Sequence, residues 1–248
     1  MSCKMELNNR HSKFAGVLIA MVAVIGLGVR SASADSVAYT ANSPTGNQAW
    51  PGNLGLDFNV GFPIAINALG AYDSGGNSID STNPITVGIF ERPNSDPNFV
   101  GPGTLIVSET ITGGSLVDGF RFQDLANSVI LNAGYYSVVA VGFGSSNLNL
   151  NGNETLPPQN ADGVTPNPVP GVTYVGTGRF DSSSSLDYPT QSDQDQGFDN
   201  SNHVFAAGDF SVVPVPLPAT AGVGFSMLTG FGVLAAFRRR LSQKRRVA

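Results

Sequence analysis

Ile85-Thr86-Val87-Gly88-Ile89-Phe90 decides the fold class. Ile85, Val87 and Ile89 alternate with Thr86 and Gly88, so one face of this segment is apolar and the other is not. A period of two marks a half-buried strand, because successive side chains point to opposite faces of a sheet. Turn formers follow at once in Pro93-Asn94-Ser95-Asp96-Pro97. The same grammar recurs in both directions. Short apolar runs at 37–41, 54–60, 64–72, 85–91, 105–110, 118–122, 129–131, 135–143, 172–180 and 204–213 read as strands. Asp73-Ser74-Gly75-Gly76-Asn77, Gly113-Gly114 and Asn132-Ala133-Gly134 punctuate them. No stretch sustains a 3.6-residue period with helix formers. Many short strands at close spacing predict an all-β, jelly-roll-like antiparallel β-sandwich over residues 35–213.

Two stretches resist that pattern. Residues 145–171 are dominated by Asn, Gly and Pro, and Pro157, Pro158, Pro166, Pro168 and Pro170 bar a central strand. Residues 181–202 are rich in Ser, Asp and Gln. Both read as long loops, and loops beyond ~15 residues are usually either functional or disordered.

Charge is distributed unevenly. The chain has 13 Lys and Arg, of which only Arg92, Arg121 and Arg179 fall within residues 35–217. Seventeen of the 18 acidic residues lie in that span, Glu6 being the exception, so the body carries a net charge of −14. Such a surface repels phosphate backbones, which excludes nucleic acid as a partner. It favours solubility and attracts divalent cations. The single cysteine, Cys3, precedes the body, so residues 35–213 contain no disulfide, thiol nucleophile or Cys-based metal site. About 180 residues can bury a core without such staples, hiding roughly 70% of the unfolded surface.

The two ends carry the remaining cations. Lys4, Arg10 and Lys13 precede an uncharged apolar run, 14–28, and Ala32-Ser33-Ala34 supplies a small-x-small site. These three parts in order predict a signal peptide over 1–34, cleaved before Asp35. At the other end, Val215-Pro216-Leu217-Pro218-Ala219 opens an uncharged, Gly-rich apolar run that ends at Phe237. Arg238-Arg239-Arg240 follows, with Lys244, Arg245 and Arg246 beyond. Residues 219–237 are at the lower bound for a helix that spans ~30 Å of hydrocarbon. The cations would hold its far end in the cytoplasm and leave the body outside.

This tail resembles the PEP-CTERM sorting signal of bacterial exported proteins, in the variant where Leu217 stands in place of the central Glu. The resemblance covers residues 214–248. It implies export, transient retention in the inner membrane, recognition by an exosortase-type membrane protease, and release to the cell surface or extracellular matrix. It further implies a Gram-negative bacterium that makes exopolysaccharide. Leu217-Pro218-Ala219-Thr220 also satisfies the Leu-Pro-x-Thr pattern of sortase substrates, and a plain C-terminal anchor is the third reading of the same residues.

The body resembles an extracellular β-sandwich that often precedes such tails. The similar stretches include Gly55-Leu56-Asp57-Phe58, Ala68-Leu69-Gly70-Ala71-Tyr72-Asp73, Val87-Gly88-Ile89-Phe90 and Val117-Asp118-Gly119-Phe120-Arg121-Phe122. These are framework residues, and the resemblance implies no catalytic residue.

Candidate binding chemistry is sparse. Asp193, Asp195 and Asp199 alternate in an oxygen-rich loop, a pattern that suits Ca²⁺ but departs from EF-hand spacing; acidic loops are also often merely solvated. Trp50, the sole tryptophan, is either a stacking platform for sugar rings or a plug at one end of the core. His203 stands before an apolar strand, without a Gly-x-Ser-x-Gly elbow in the chain. The composition therefore points to a non-enzymatic surface or matrix protein without a cofactor. A carbohydrate-binding module for exopolysaccharide and a glycan-acting enzyme are the alternatives.

Overall fold

The computed structural model describes residues 35–96, 98–152, 163–192 and 204–213. Their strands are β1 (Ser36–Val37), β2 (Tyr39–Ala41), β3 (Leu54–Val60), β4 (Ile64–Tyr72), β5 (Ile85–Arg92), β6 (Thr104–Ile111), β7 (Ser115–Val117) and β8 (Phe120–Leu131). β9 (Gly134–Val141), β10 (Leu150–Asn151), β11 (Val164–Pro166), β12 (Val172–Phe180), β13 (Gln191–Ser192), β14 (Phe205–Ala206) and β15 (Gly208–Val213) complete them. The only helical segment among the described residues is one 3₁₀ turn, Ser74–Gly76. Among the described residues the fold is all-β, and every strand pairing is antiparallel. No described helix is long and apolar enough to cross a membrane, and the apolar run 219–237 lies outside the described residues.

Two sheets dominate. The larger runs β13-β12-β3-β9-β5-β6, and the other runs β1-β15-β4-β8-β7. They share one core because period-two alternation gives each sheet an apolar face. Leu54, Leu56 and Phe58 of β3 and Ile85, Val87 and Ile89 of β5 are at most 1% exposed. Ile66, Leu69 and Phe210 face them from the other sheet. The Phe58 and Phe210 rings lie 4.6 Å apart, and Phe58 also stacks on Tyr136 at 5.7 Å. Each fully buried aromatic of this kind contributes about 1.5–3 kcal/mol by leaving water.

Several strand bounds follow the sequence reading and others shift for identifiable reasons. The runs at 54–60, 64–72 and 172–180 match β3, β4 and β12 in full. The two segments read at 118–122 and 129–131 are parts of one twelve-residue strand, β8. Its polar middle hides this, and the pairing with β4 shifts register between Ile66 and Ala68. Asp118 (φ 51°) and Gly119 (φ 90°) are the turn before that strand, not its start. The run at 204–213 divides into β14 and β15.

The described parts of the stretch at 145–171 are more structured than their composition suggests. Asn147, Asn149 and Asn151 are buried, and the side-chain amides of Asn147 and Asn149 tie the segment to its neighbours. Asn147 donates to Asn83 O at 2.7 Å, and Asn149 donates to Gln48 Oε1 at 2.7 Å. Asn47 donates to Asn151 O at 2.9 Å. Pro166 sits in the short two-stranded β2–β11 ladder opposite Tyr39, where a missing N–H is tolerated.

Candidate functional site

Alternation along β3 sends Phe58 into the shared core and Asp57 to the outer face of the six-stranded sheet. Asp57 is nevertheless fully buried. Arg179 on the adjacent β12 donates through Nε to Asp57 Oδ1 at 2.7 Å. Arg92 on β5 places Nη1 3.2 Å from Asp57 Oδ2. Ser137, directly opposite Asp57 on β9, donates its hydroxyl to Oδ1 as well. One carboxylate thus binds four strands together through side chains that the sheet ladder alone would leave unconnected.

Two loops seal this network from water. Arg179 Nη1 donates to Phe99 O at 2.5 Å, and Arg92 Nη1 reaches Asp96 O at 3.3 Å. Phe99 and Leu186 pack against Phe90, Val139 and Tyr188 over the sheet. The Arg179 guanidinium lies over the Tyr188 ring, 5.2 Å from its centroid, a favourable cation–π placement in a desolvated setting. Burial pushes the Tyr188 hydroxyl up to about 12, even though Arg179 works in the opposite direction. Burial likewise pulls Arg92 below its ordinary value, and Asp57 counters it. Both arginines are buried around a single anion, an arrangement that is expensive to disturb.

The third body cation is used in the same way on the other sheet. Arg121 of β8 bonds Asp73 Oδ2 through Nε at 3.0 Å and Nη2 at 2.5 Å. It also donates to Gly114 O and Gly76 O, which pins two turns together. Asp73 further accepts from Ser78 N. Asp80 organises the next turn by accepting from Thr82 and Asn83. Those hydrogen bonds hold its carboxyl below the usual value.

The sealing loops leave two depressions on the rim. One, of about 450 Å³, is lined by Asp181, Ser183, Asp187, Tyr188, Thr190 and Gln191. Asp181 accepts from Asn53 and from Ser183 N, so its carboxylate is already engaged in holding the loop. The other, of about 400 Å³, is lined by Glu91, Arg92, Pro93, Pro102, Thr104 and Tyr135, among others.

Trp50 is half-buried and packs against the core. Its Nε1 donates to Asp181 O at 2.9 Å, and its ring meets Phe180 edge-on at 6.2 Å. A Cβ at the nearby Gly52 would lie 1.9 Å from Asp181 O, so only glycine lets the two backbones approach here. Trp50 thus packs on the core and anchors the loop that follows β12. Asp193, Asp195, Asp199 and His203 lie outside the described residues, as do Val215, Pro216, Leu217, Pro218, Ala219, Arg238, Arg239 and Arg240. Among the described residues no group of three or more His, Cys, Asp or Glu side chains converges as a metal site would require.

The sequence reading missed the Asp57–Arg92–Arg179 network. A signal was present: three arginines among seventeen acids, and a carboxylate inside the apolar run 54–60. Rare cations in an acidic chain are good candidates for buried pairing. Which acid each arginine meets depends on strand order, which local sequence does not encode. No family model matches the chain, and no curated protein matches it.

Proposed function

We propose that this protein is an exported, non-enzymatic surface or matrix protein, carried by its leader and displayed or released through its C-terminal sorting segment. The observation that carries the reading is that the body pairs its own two ends. Its first and last strands, β1 and β15, pair with each other through Ser36 with Val212 and Val37 with Ser211. A body whose first and last strands pair in this way supports reading the leader and the tail as separable addresses. The pairings β1–β15, β3–β9, β4–β8 and β5–β6 support the finer reading of the body as a jelly-roll sandwich. The tail supports a transmembrane helix over 219–237 and processing by an exosortase-type protease in the inner membrane of a Gram-negative host.

Mass spectrometry of the mature protein from its native host tests this directly. The expected product begins at Asp35 and has lost the segment beyond the 215–219 motif. Pro216→Ala with Pro218→Ala should trap an uncleaved, membrane-bound form, because the prolines keep the junction extended and accessible to a protease. Thr220→Ala separates the two processing models, since a sortase needs the threonine. Unchanged processing of the double-proline variant would reduce the tail to a plain anchor.

A second reading, contact with exopolysaccharide, is favoured by one feature. The outer face of the six-stranded sheet is stiffened by buried charge and edged by depressions that carry hydroxyls, carboxylates and an open aromatic ring. Rigid scaffolds with open polar rims suit ligands rich in hydroxyl groups.

A further inference from the structure

One end of the two-sheet body is built by the β3–β4 turn Gly61-Phe62-Pro63, the β8–β9 turn Asn132-Ala133 and the Pro170-Gly171 lead into β12. None of these segments holds a charged residue, although the body carries a net charge of −14. The two most exposed large apolar side chains among the described residues stand here. Phe62 is 54% exposed, and Ile130, the penultimate residue of β8, is 50% exposed. Pro63, Ala133 and Pro170 are exposed as well. Single apolar residues on a surface are ordinary, but a whole strand end without charge is not explained by packing.

The turns are held in place. Gly61 N donates to Gly171 O at 2.8 Å. A Cβ on Gly171 (φ 85°) would come within 2.9 Å of the Phe62 ring, so the glycine leaves the ring its room. Tyr136 donates its hydroxyl to Asn132 O at 3.0 Å, which fixes the second turn. Ile130 lies on the outer side of the five-stranded sheet, because its neighbour Leu131 is buried in the core. The register sets Val213, Ala65 and Ile130 in one cross-strand row. Phe62 and Ile130 therefore do not line a common pocket. They flank a blunt apolar end.

The same end is where β15 finishes. Val213 pairs with Ala65, and five residues, 214–218, separate it from the apolar run that begins at Ala219. Fully extended, that stretch reaches about 20 Å. β4 is nine residues long, so the opposite end of the sheet is about 30 Å away. A bilayer that holds 219–237 would therefore meet the Phe62 end and not the far one. Aromatic and aliphatic side chains suit the lipid interface, whereas charges resist entry. Acids stand behind the tip, Asp35 before β1 and Glu91 opposite Tyr136 on β5, and they favour a zwitterionic surface over an anionic one. We propose, on the reading of 219–237 as a membrane anchor, that this end of the body is a lipid-contact surface, with Phe62 and Ile130 entering the bilayer interface while the tail is uncut.

The test is fluorescence quenching of the full chain reconstituted in phosphatidylcholine vesicles with brominated acyl chains. Proteinase K digestion, followed by mass spectrometry of the vesicle-protected peptide, scores whether 219–237 is inserted. The unaltered chain carries its only tryptophan, Trp50, at the opposite end, where its ring meets Phe180 at the close of β12. Phe62→Trp in a Trp50→Phe background moves the probe to the tip. Its emission should fall and shift to the blue in brominated vesicles, whereas that of Trp50 in the unaltered chain should not change. Ile130→Trp in the same background should be quenched too, and its outward position keeps it clear of the core should Phe62→Trp fold poorly. Both variants unquenched in a chain whose 219–237 is protected would overturn the lipid contact and leave the anchor standing. Loss of that protection would remove the anchor and the contact together. Quenching of Trp50 as strong as that of Phe62→Trp would also overturn the assignment, since contact would not be confined to this end. Shielding of Phe62→Trp from aqueous iodide without quenching by bromolipid would give the surface to a protein partner instead.

Discussion

Asp57 and Phe58 are neighbours in β3, and both are fully buried. Phe58 enters the core between the sheets, where burial is favourable in any orientation and many apolar partners would serve. Asp57 enters the outer face, where burial is tolerable only because Arg92, Arg179 and Ser137 arrive at the right places. The inner region is held by a non-directional force, and the outer region by a directional one. The two should fail differently. A core change is graded by volume, whereas loss of one partner in the outer network strands the charges that remain.

The largest expected effect comes from breaking the outer region. Asp57→Ala leaves two guanidinium groups buried without their anion and should cost about 3–5 kcal/mol. Urea unfolding followed by the fluorescence of Trp50, the single tryptophan, would measure it. Replacing Asp57, Arg92 and Arg179 together by Leu, Met and Met should recover most of that loss. If the triple variant is no better than Asp57→Ala, the network contributes more than mutual compensation, and the contrast drawn here is too simple.

Phe58→Ala probes the inner region and should cost about 3–5 kcal/mol, with Phe58→Leu losing far less because the site can be refilled. A large loss on Phe58→Leu would mean that the core also depends on specific ring geometry, such as the contact with Phe210. Arg121→Ala extends the comparison to the five-stranded sheet. Asp73 is 3% exposed and would lose its cation, with an expected cost of about 2 kcal/mol.

Asp209 gives a pH test of the same idea. It is fully buried on β15 and has no arginine beside it. Burial raises its carboxyl well above the ordinary value, Asp118 adds to the rise, and the backbone amides of Phe210, Tyr39 and Ala38 oppose it. The folded state therefore keeps a proton that the unfolded chain releases above pH ~4. Its contribution to stability is complete below that value and is lost as pH rises through the folded pKa. Asp209→Asn should flatten this fall in urea titrations taken at successive pH values. An unchanged slope would show that the folded site ionises normally. The smallest effect belongs to Trp50→Phe, which removes the hydrogen bond to Asp181 O and should cost about 1 kcal/mol, measured by circular dichroism.

What was legible in the sequence follows from period two. Alternation in Ile85-Thr86-Val87-Gly88-Ile89 assigns β5 and its core face without reference to any other strand. Short apolar runs bounded by turn formers find β3, β4 and β12 in full. That rule fails at β8, whose middle is polar where the pairing with β4 shifts register, and it fails at 147–151, where asparagines are buried beside Leu150. The composition of the body, three arginines against seventeen acids, also belongs to the sequence alone. Only the tertiary structure decided that Arg92 and Arg179 share Asp57 while Arg121 takes Asp73. Arg179 lies 122 positions from Asp57. Hydrophobic burial asks merely that a residue be apolar and face inward, which its own neighbours determine. A charge pair asks for two atoms within hydrogen-bonding distance, and strand order brings those together.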